Sequence, residues 1–279
     1  MSWLPVRRYP INAIGRDWVV GDVHGAFDLV WAAMQAAKFD PKCDRLFVVG
    51  DMVDRGEQSL RAGAFLNLPY VHAALGNHEA AWLELYEDGP PDDSVVEAIE
   101  STRFGMGARW WLAAEPRQRD ALVAKFAELP LAIEVETERG LVGIVHADVP
   151  AGLSWQEFTA ALAAGDKHVV KTALWGRSRL GSANDDGVPG IDRVFVGHTP
   201  QWTGPKRLGN VYAVDTGAIY GLQTNGQEPG HLTMAQLVAS TASLSKAAEN
   251  VLASGLLDLK DECGPMSAGF GQYARLRAQ

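Results

Sequence analysis

The sequence predicts an α/β fold built on a parallel sheet, and three observations carry that reading. Predominantly apolar runs at 17–20, 45–49 and 70–75 are each followed by a polar loop containing glycine and then by a helical pattern. Successive β-loop-α units imply parallel strands joined by right-handed crossovers. Every polar loop then falls at the carboxyl edge of the sheet, where open α/β sheets bind ligands.

Composition narrows the partners. With 279 residues, 47% of them hydrophobic, the chain can bury the core of one large domain. A net charge of −9 offers no basic surface to neutralise nucleic-acid phosphates, so no nucleic-acid partner is expected. Cys43 and Cys263 stand far apart in no metal-ligand or redox spacing, which fits a reducing compartment. No apolar run approaches the roughly 20 residues of a membrane-spanning helix, and the arginines near Met1 have no apolar stretch behind them. A soluble cytoplasmic protein with no membrane partner is expected.

The first strand, 17–20, runs into Gly21-Asp22-Val23-His24-Gly25, and a helix is predicted over 27–37 with Leu29, Val30, Ala33, Met34 and Ala37 on one face. Asp22 alone would suit a helix N-cap. Asp-x-His between two glycines suits a shared ion instead, because residues two apart in an extended turn converge and the glycines let backbone approach closely. The second strand, 45–49, ends in Gly50-Asp51-Met52-Val53-Asp54-Arg55-Gly56. Two carboxylates and a guanidinium thus sit at the end of a buried central strand, where charges need partners. A helix is expected over 58–66. The third strand, 70–75, leads into Gly76-Asn77-His78-Glu79 and a helix over 80–86.

Over about 87–130 the pattern becomes helical, and the segment reads as an insertion beside the site. Helices are predicted at 94–104 and 116–129, with Gly105-Met106-Gly107-Ala108-Arg109-Trp110-Trp111 between them. Trp110 and Trp111 suit either a substrate cleft or packing between helices. Strands are predicted again at 131–135 and 141–145, joined by a hairpin, the second delivering His146-Ala147-Asp148. A helix near 155–164 precedes Trp175-Gly176-Arg177-Ser178-Arg179, and a strand at 193–196 ends in Gly197-His198-Thr199-Pro200. Segments 211–217 and 232–238 supply two more strands. One domain is expected over 1–239. Leu244, Ala248, Val251, Leu252 and Leu259 fall at helical spacing in a C-terminal tail, 240–279, read as a docked surface helix, with a regulatory helix as the alternative.

His72, His168 and His231 sit outside any motif, whereas His24, His78, His146 and His198 each closely follow a strand. Asp22, His24, Asp51, Asn77, His146 and His198 form a set of oxygen and nitrogen donors too large for one tetrahedral zinc. The set suits two borderline ions sharing a carboxylate, and Asp51 on the central strand is the expected bridge. Two divalent ions facing two carboxylates leave positive charge for an anionic substrate, and neutral Asn77 preserves it. Such a pair lowers the pKa of bound water and braces the attacking and leaving oxygens of an in-line displacement, so hydrolysis of a phosphate ester is expected. His78 is placed to protonate the leaving alkoxide, with Asp54 orienting it. Arg55 and one arginine of the pair Arg177 and Arg179 suit the phosphate oxygens, with a structural ion pair as the alternative for either.

In this order and spacing, the loops at Asp22, Asp51 and Asn77 resemble the three signature motifs of the phosphoprotein phosphatase family of metallophosphoesterases. His146-Ala147-Asp148, Trp175-Gly176-Arg177 and Gly197-His198-Thr199-Pro200 are similar to the later motifs of its bacterial and phage branch. The resemblance covers about 17–238. It implies a calcineurin-like fold, a two-sheet β-sandwich flanked by helices. It also implies a dinuclear centre filled by manganese, with iron, zinc or magnesium as alternatives. The activity implied is that of a serine/threonine phosphatase, extending to tyrosine in some members, acting on a phosphorylated protein or small phosphoester. By resemblance, Asp22 and His24 with bridging Asp51 hold one metal, and Asn77, His146 and His198 with Asp51 hold the other. His78 is then the general acid, Asp54 its partner, and Arg55 and Arg177 the phosphate clamp. Gly105-Met106-Gly107-Ala108 departs from the pattern of that branch near the cleft.

Two other functions compete. Symmetrical diadenosine tetraphosphate hydrolases share the metal site but lack the second Asp of the Asp-x-x-Asp-Arg pattern and end the third motif in Asp; this chain has Asp54 and Glu79. A catalytically silent phosphopeptide-binding module would have no need of the full donor set and an acid.

Overall fold

Ten strands form two sheets in the computed structural model, which describes residues 4–101, 106–223 and 230–238. In chain order the first elements are β1 (Val6–Tyr9), β2 (Asp17–Val20), α1 (Phe27–Ala36), β3 (Arg45–Val48), a 3₁₀ turn (Ser59–Arg61), α2 (Ala62–Phe65), β4 (Val71–Ala73) and α3 (Asn77–Leu85). Helices α4 (Asp93–Glu100), α5 (Arg109–Leu112) and α6 (Pro116–Phe126) follow, then β5 (Ala132–Thr137) and β6 (Gly140–Val145). The chain continues through α7 (Trp155–Ala163), α8 (Lys167–Trp175), α9 (Ser178–Ser182), β7 (Arg193–Val196), β8 (Lys206–Leu208), β9 (Val211–Ala213), α10 (Ala218–Gln223) and β10 (Met234–Gln236).

The smaller sheet has the order β10-β2-β3-β4 and the larger β1-β5-β6-β7-β9-β8. β2, β3 and β4 run parallel, with Val19 opposite Phe47 and Phe47 opposite His72, so the motif loops of all three open on one edge as the sequence predicts. Side chains alternate along each strand. Val19, Phe47 and Val49 meet Ile133, Val135, Val142, Ile144, Phe195 and Tyr212 in the layer between the sheets. Their neighbours Trp18, Val20, Leu46 and Val48 pack instead with Phe27, Val30, Met34 and Phe65 beneath the helices. Both faces are therefore buried, which is why 46–49 is an unbroken apolar run. Each such side chain contributes about 1.5–3 kcal/mol by leaving water.

Three expectations change in detail. α3 begins at Asn77, not 80, because Glu79 Oε2 reaches back to accept from Gly76 N at 3.1 Å and closes the first turn over Asn77 and His78. The helix expected over 58–66 is a 3₁₀ turn and a short α2, since Ser59 ties itself to Gly56 O through both N (3.3 Å) and Oγ (2.7 Å). β1, β8, α5, α8, α9 and α10 have no counterpart in the sequence reading. The helix expected at 240–279 lies outside the described residues, as do 102–105. Among the described residues, no helix is long and apolar enough to cross a membrane.

Candidate active site

Folding gathers the sequence-predicted residues where the carboxyl ends of strands from both sheets meet. Asp22 and His24 follow β2, and Asp51, Asp54 and Arg55 follow β3. Asn77 and His78 open α3 after β4, while His146 follows β6 and His198 follows β7. The turns that present them are strained. Among the described residues seven non-glycine positions have positive φ, and five of them are His24, Asp51, Asp54, Arg55 and His198. Each such residue costs on the order of 1–2 kcal/mol, so this concentration marks a geometry that the surrounding packing enforces. Gly50, at φ +112, completes the turn: a Cβ there would lie 2.7 Å from Gly76 Cα and 2.9 Å from His146 Nδ1.

His24 Nδ1 donates to Val53 O at 2.9 Å and His146 Nδ1 to Val49 O at 3.1 Å, which turns both Nε2 lone pairs into the site. His146 Nε2 then faces Asn77 Oδ1 at 2.8 Å, one acceptor against another. His198 Nε2 is buried without a hydrogen-bond partner among the described residues. Asp51 lies between the histidines, its Oδ2 3.5 Å from His24 Nε2 and its Oδ1 3.4 Å from His146 Nε2. Two donor groups result, His24 with Asp51 and His78, and Asp51 with His146 and His198; within each, the donor atoms lie within 4.8 Å of one another. Asp51 belongs to both. Asp22 approaches from the side, Oδ2 4.0 Å from His24 Nε2, and its carboxylate accepts from His198 N at 3.0 and 3.2 Å. Facing acceptors and an orphaned imidazole nitrogen are what cations would satisfy, so this donor set fits a pair of divalent ions.

Charge points the same way. Burial, together with Asp215 and Asp51, pushes Asp22 well above the usual carboxylate range. Burial would raise Asp51 as well, but His146, His78 and His24 hold it below that range. Burial and Arg55 depress His24, burial depresses His146, and burial with His146 and Arg177 takes His198 down to about 3. All three are pushed toward the neutral form, which keeps the lone pair a ligand needs. Burial alone would also lower His78, yet Asp51 and Asp54 outweigh it and raise it. The site therefore crowds buried carboxylates against imidazoles that burial shifts toward their neutral form, groups that divalent ions would bring together.

His78 Nδ1 donates to Asp54 Oδ2 at 2.7 Å, and Arg55 reaches both His24 Nε2 (2.6 Å) and His78 Nε2 (3.1 Å). The two later arginines separate cleanly. Arg179 is buried on Asp148, whereas Arg177 is exposed at the mouth, its Nη1 3.3 Å from Thr199 Oγ1 beside His198. Trp110 and Trp111 are buried, 7% and 0% exposed, and do not line an open cleft.

Sequence reasoning assigned no role in the site to two buried carboxylates, Glu79 and Asp215. Glu79 holds the β3 turn, accepting from Asp51 N at 2.9 Å and Met52 N at 2.7 Å, while burial and then Asp51 raise it to about 7. Asp215, buried after β9, accepts from Gly217 N at 2.9 Å, and burial is the first cause of its rise to about 6. Its signal was present: Val214-Asp215-Thr216-Gly217 ends a strand as the other motifs do.

Residues 16–202 match the calcineurin-like phosphoesterase family. The chain belongs to that family. Relatives of this phosphoesterase include serine/threonine-protein phosphatase 1 of Salmonella typhimurium, 34% identical over 79% of this chain and 91% of that protein. The symmetrical bis(5'-nucleosyl)-tetraphosphatase of Glaesserella parasuis is 30% identical over 52% of this chain and 55% of that protein. Among solved structures, a proposed diadenosine tetraphosphatase superposes with a TM-score of 0.57 at 21% identity, covering 85% of this chain and 95% of that one, a likeness of fold. The two sheets flanked by helices are the architecture the motifs implied.

Proposed function

We propose that this metallophosphoesterase is a phosphomonoesterase acting on phosphorylated serine or threonine in proteins. The observation that carries the reading is the buried Asp54–His78 pair at 2.7 Å. A buried acid and its orienting carboxylate serve an alkoxide leaving group, which needs a proton to depart. The relative named as a serine/threonine phosphatase, alike over most of both chains, supports the same choice.

In this reading Asp22, His24 and Asp51 hold one divalent ion and Asp51, Asn77, His146 and His198 the other, with manganese the proposed metal. Such ions supply activated water and charge opposite the phosphoryl oxygens. The chain's own residues do the rest. Arg55 and Arg177 grip the phosphate oxygens with forked hydrogen bonds. Asp54 fixes the His78 ring through Nδ1, and His78 Nε2 delivers the proton to the departing oxygen.

The relatives named as tetraphosphatases favour dinucleotide hydrolysis as a second reading. Asp54 and Glu79 weigh against it. The test compares phosphoserine, phosphotyrosine and dinucleotide tetraphosphate substrates with added Mn²⁺. Phosphopeptide turnover that chelation abolishes is expected. Faster turnover of the dinucleotide would reverse the choice, and no turnover with any divalent metal would leave a binding module instead.

A further inference from the structure

Asp54 and Arg55 are consecutive non-glycine residues in the left-handed region, φ +69 and +65, a conformation that something must hold. Asp54 is fully buried. One carboxylate oxygen, Oδ2, takes His78 Nδ1; the other, Oδ1, accepts from Trp110 Nε1 at 2.8 Å and Trp82 Nε1 at 3.1 Å. Arg55 N donates to Gly107 O at 2.9 Å. Gly107, at φ +73, permits that contact because a Cβ there would lie 2.5 Å from Arg55 Cα. Gly107 just before α5 and Trp110 within it both belong to the helical segment the sequence marks as an insertion, while Trp82 comes from α3.

We propose that residues 106–111 are a positioning element for the proton donor, in which Trp110 with Trp82 fixes the Asp54 carboxylate that orients His78, and Gly107 fixes the backbone of Arg55. This rests on the reading of His78 as the acid. An indole N–H only donates, so two of them aimed at one oxygen set the rotation of the carboxylate. Bonds of this kind to a charged acceptor are the strong ones. The next residue is a built-in contrast. Trp111 stacks on Trp82 with centroids 3.8 Å apart, and its buried Nε1 has no hydrogen-bond partner among the described residues.

Leaving-group dependence tests the idea. Trp110→Phe, with melting temperature and Mn²⁺ binding confirmed, should lower kcat on a phosphoserine peptide about tenfold and on p-nitrophenyl phosphate less than about twofold, with KM unchanged, because the nitrophenolate departs without a proton. Trp111→Phe should affect both substrates alike. Equal effects of Trp110→Phe on the two substrates, or none, would overturn the proposal. Asp54→Asn run beside it separates the two layers: if that variant shows no substrate dependence, the acid reading itself fails. Should Trp110→Phe not fold, Gly107→Ala carries the test through Arg55, with KM for both substrates expected to rise about tenfold; an unchanged KM would overturn the role of the segment.

Discussion

Arg179 Nε lies 2.9 Å from Asp148 Oδ1, and the two side chains are only 4% and 5% exposed. This pair anchors the turn that holds Arg177 outward. Removing one partner of a buried ion pair costs about 3–5 kcal/mol. Arg179→Ala should therefore lower the melting temperature by several degrees, while Arg177→Ala should leave it unchanged and raise KM for phosphomonoesters about tenfold. Thermal melts beside steady-state kinetics check both, and a KM unmoved by Arg177→Ala would remove that arginine from the clamp.

Glu79 accepts from the amides of Asp51, Met52 and Gly76. In Glu79→Gln an NH₂ group would replace one acceptor and face backbone N–H groups. A loss of about 2–3 kcal/mol is expected, with weaker Mn²⁺ binding because the turn carrying Asp51 loosens. Calorimetric titration with Mn²⁺ reads this directly. Wild-type affinity and wild-type melting together would show that the clamp is dispensable.

Asn77→Asp would add a negative charge where phosphate is meant to bind. Inhibition by inorganic phosphate should weaken about tenfold or more while two ions per chain are retained. Unchanged phosphate inhibition would mean that net charge at the centre does not set anion affinity.

Acid stability should depend on Asp44. Burial alone would raise this carboxyl, but hydrogen bonds from Arg16 and from Asp40 N hold it below its ordinary value. Arg16 Nη2 lies 2.6 Å away, and Arg16 N donates at 2.7 Å. A depressed carboxylate stabilises the fold above its unfolded pKa and loses that contribution as the pH falls toward its folded value. Wild type should therefore lose stability below about pH 4, and Asp44→Asn should be less stable at neutral pH with a flatter acid limb. Parallel pH profiles for the two proteins would contradict this.

The central layers were legible because their residues obey one rule at a time. Val19, Phe47 and their neighbours are apolar on both faces, so the period and the ends of the strands stand out. The edge strands of the larger sheet broke that rule. β1 carries Arg7 and Arg8, and β8 carries Lys206 and Arg207, charges that suit a sheet edge and blunt further pairing but hide a strand from an apolar search. α8 was signalled by Gly165-Asp166, whose aspartate accepts from His168 N and Val169 N, yet its face is too mixed to read as periodic. Within the site, donors at strand ends could be collected from spacing alone. The choice between Arg177 and Arg179 could not, because it depends on which of them finds Asp148.

Asp22, Asp51 and Asn77 come from the smaller sheet and the first third of the chain; His146 and His198 come from the larger sheet and the second half. Ions shared by these donors would act as a staple across the interlayer core, closing loops that span from Asp22 to His198. A clip that closes so long a loop withdraws entropy from the unfolded chain. The same residues proposed to make the reaction possible would then also fasten one sheet to the other, so that loss of metal would loosen the architecture together with the chemistry.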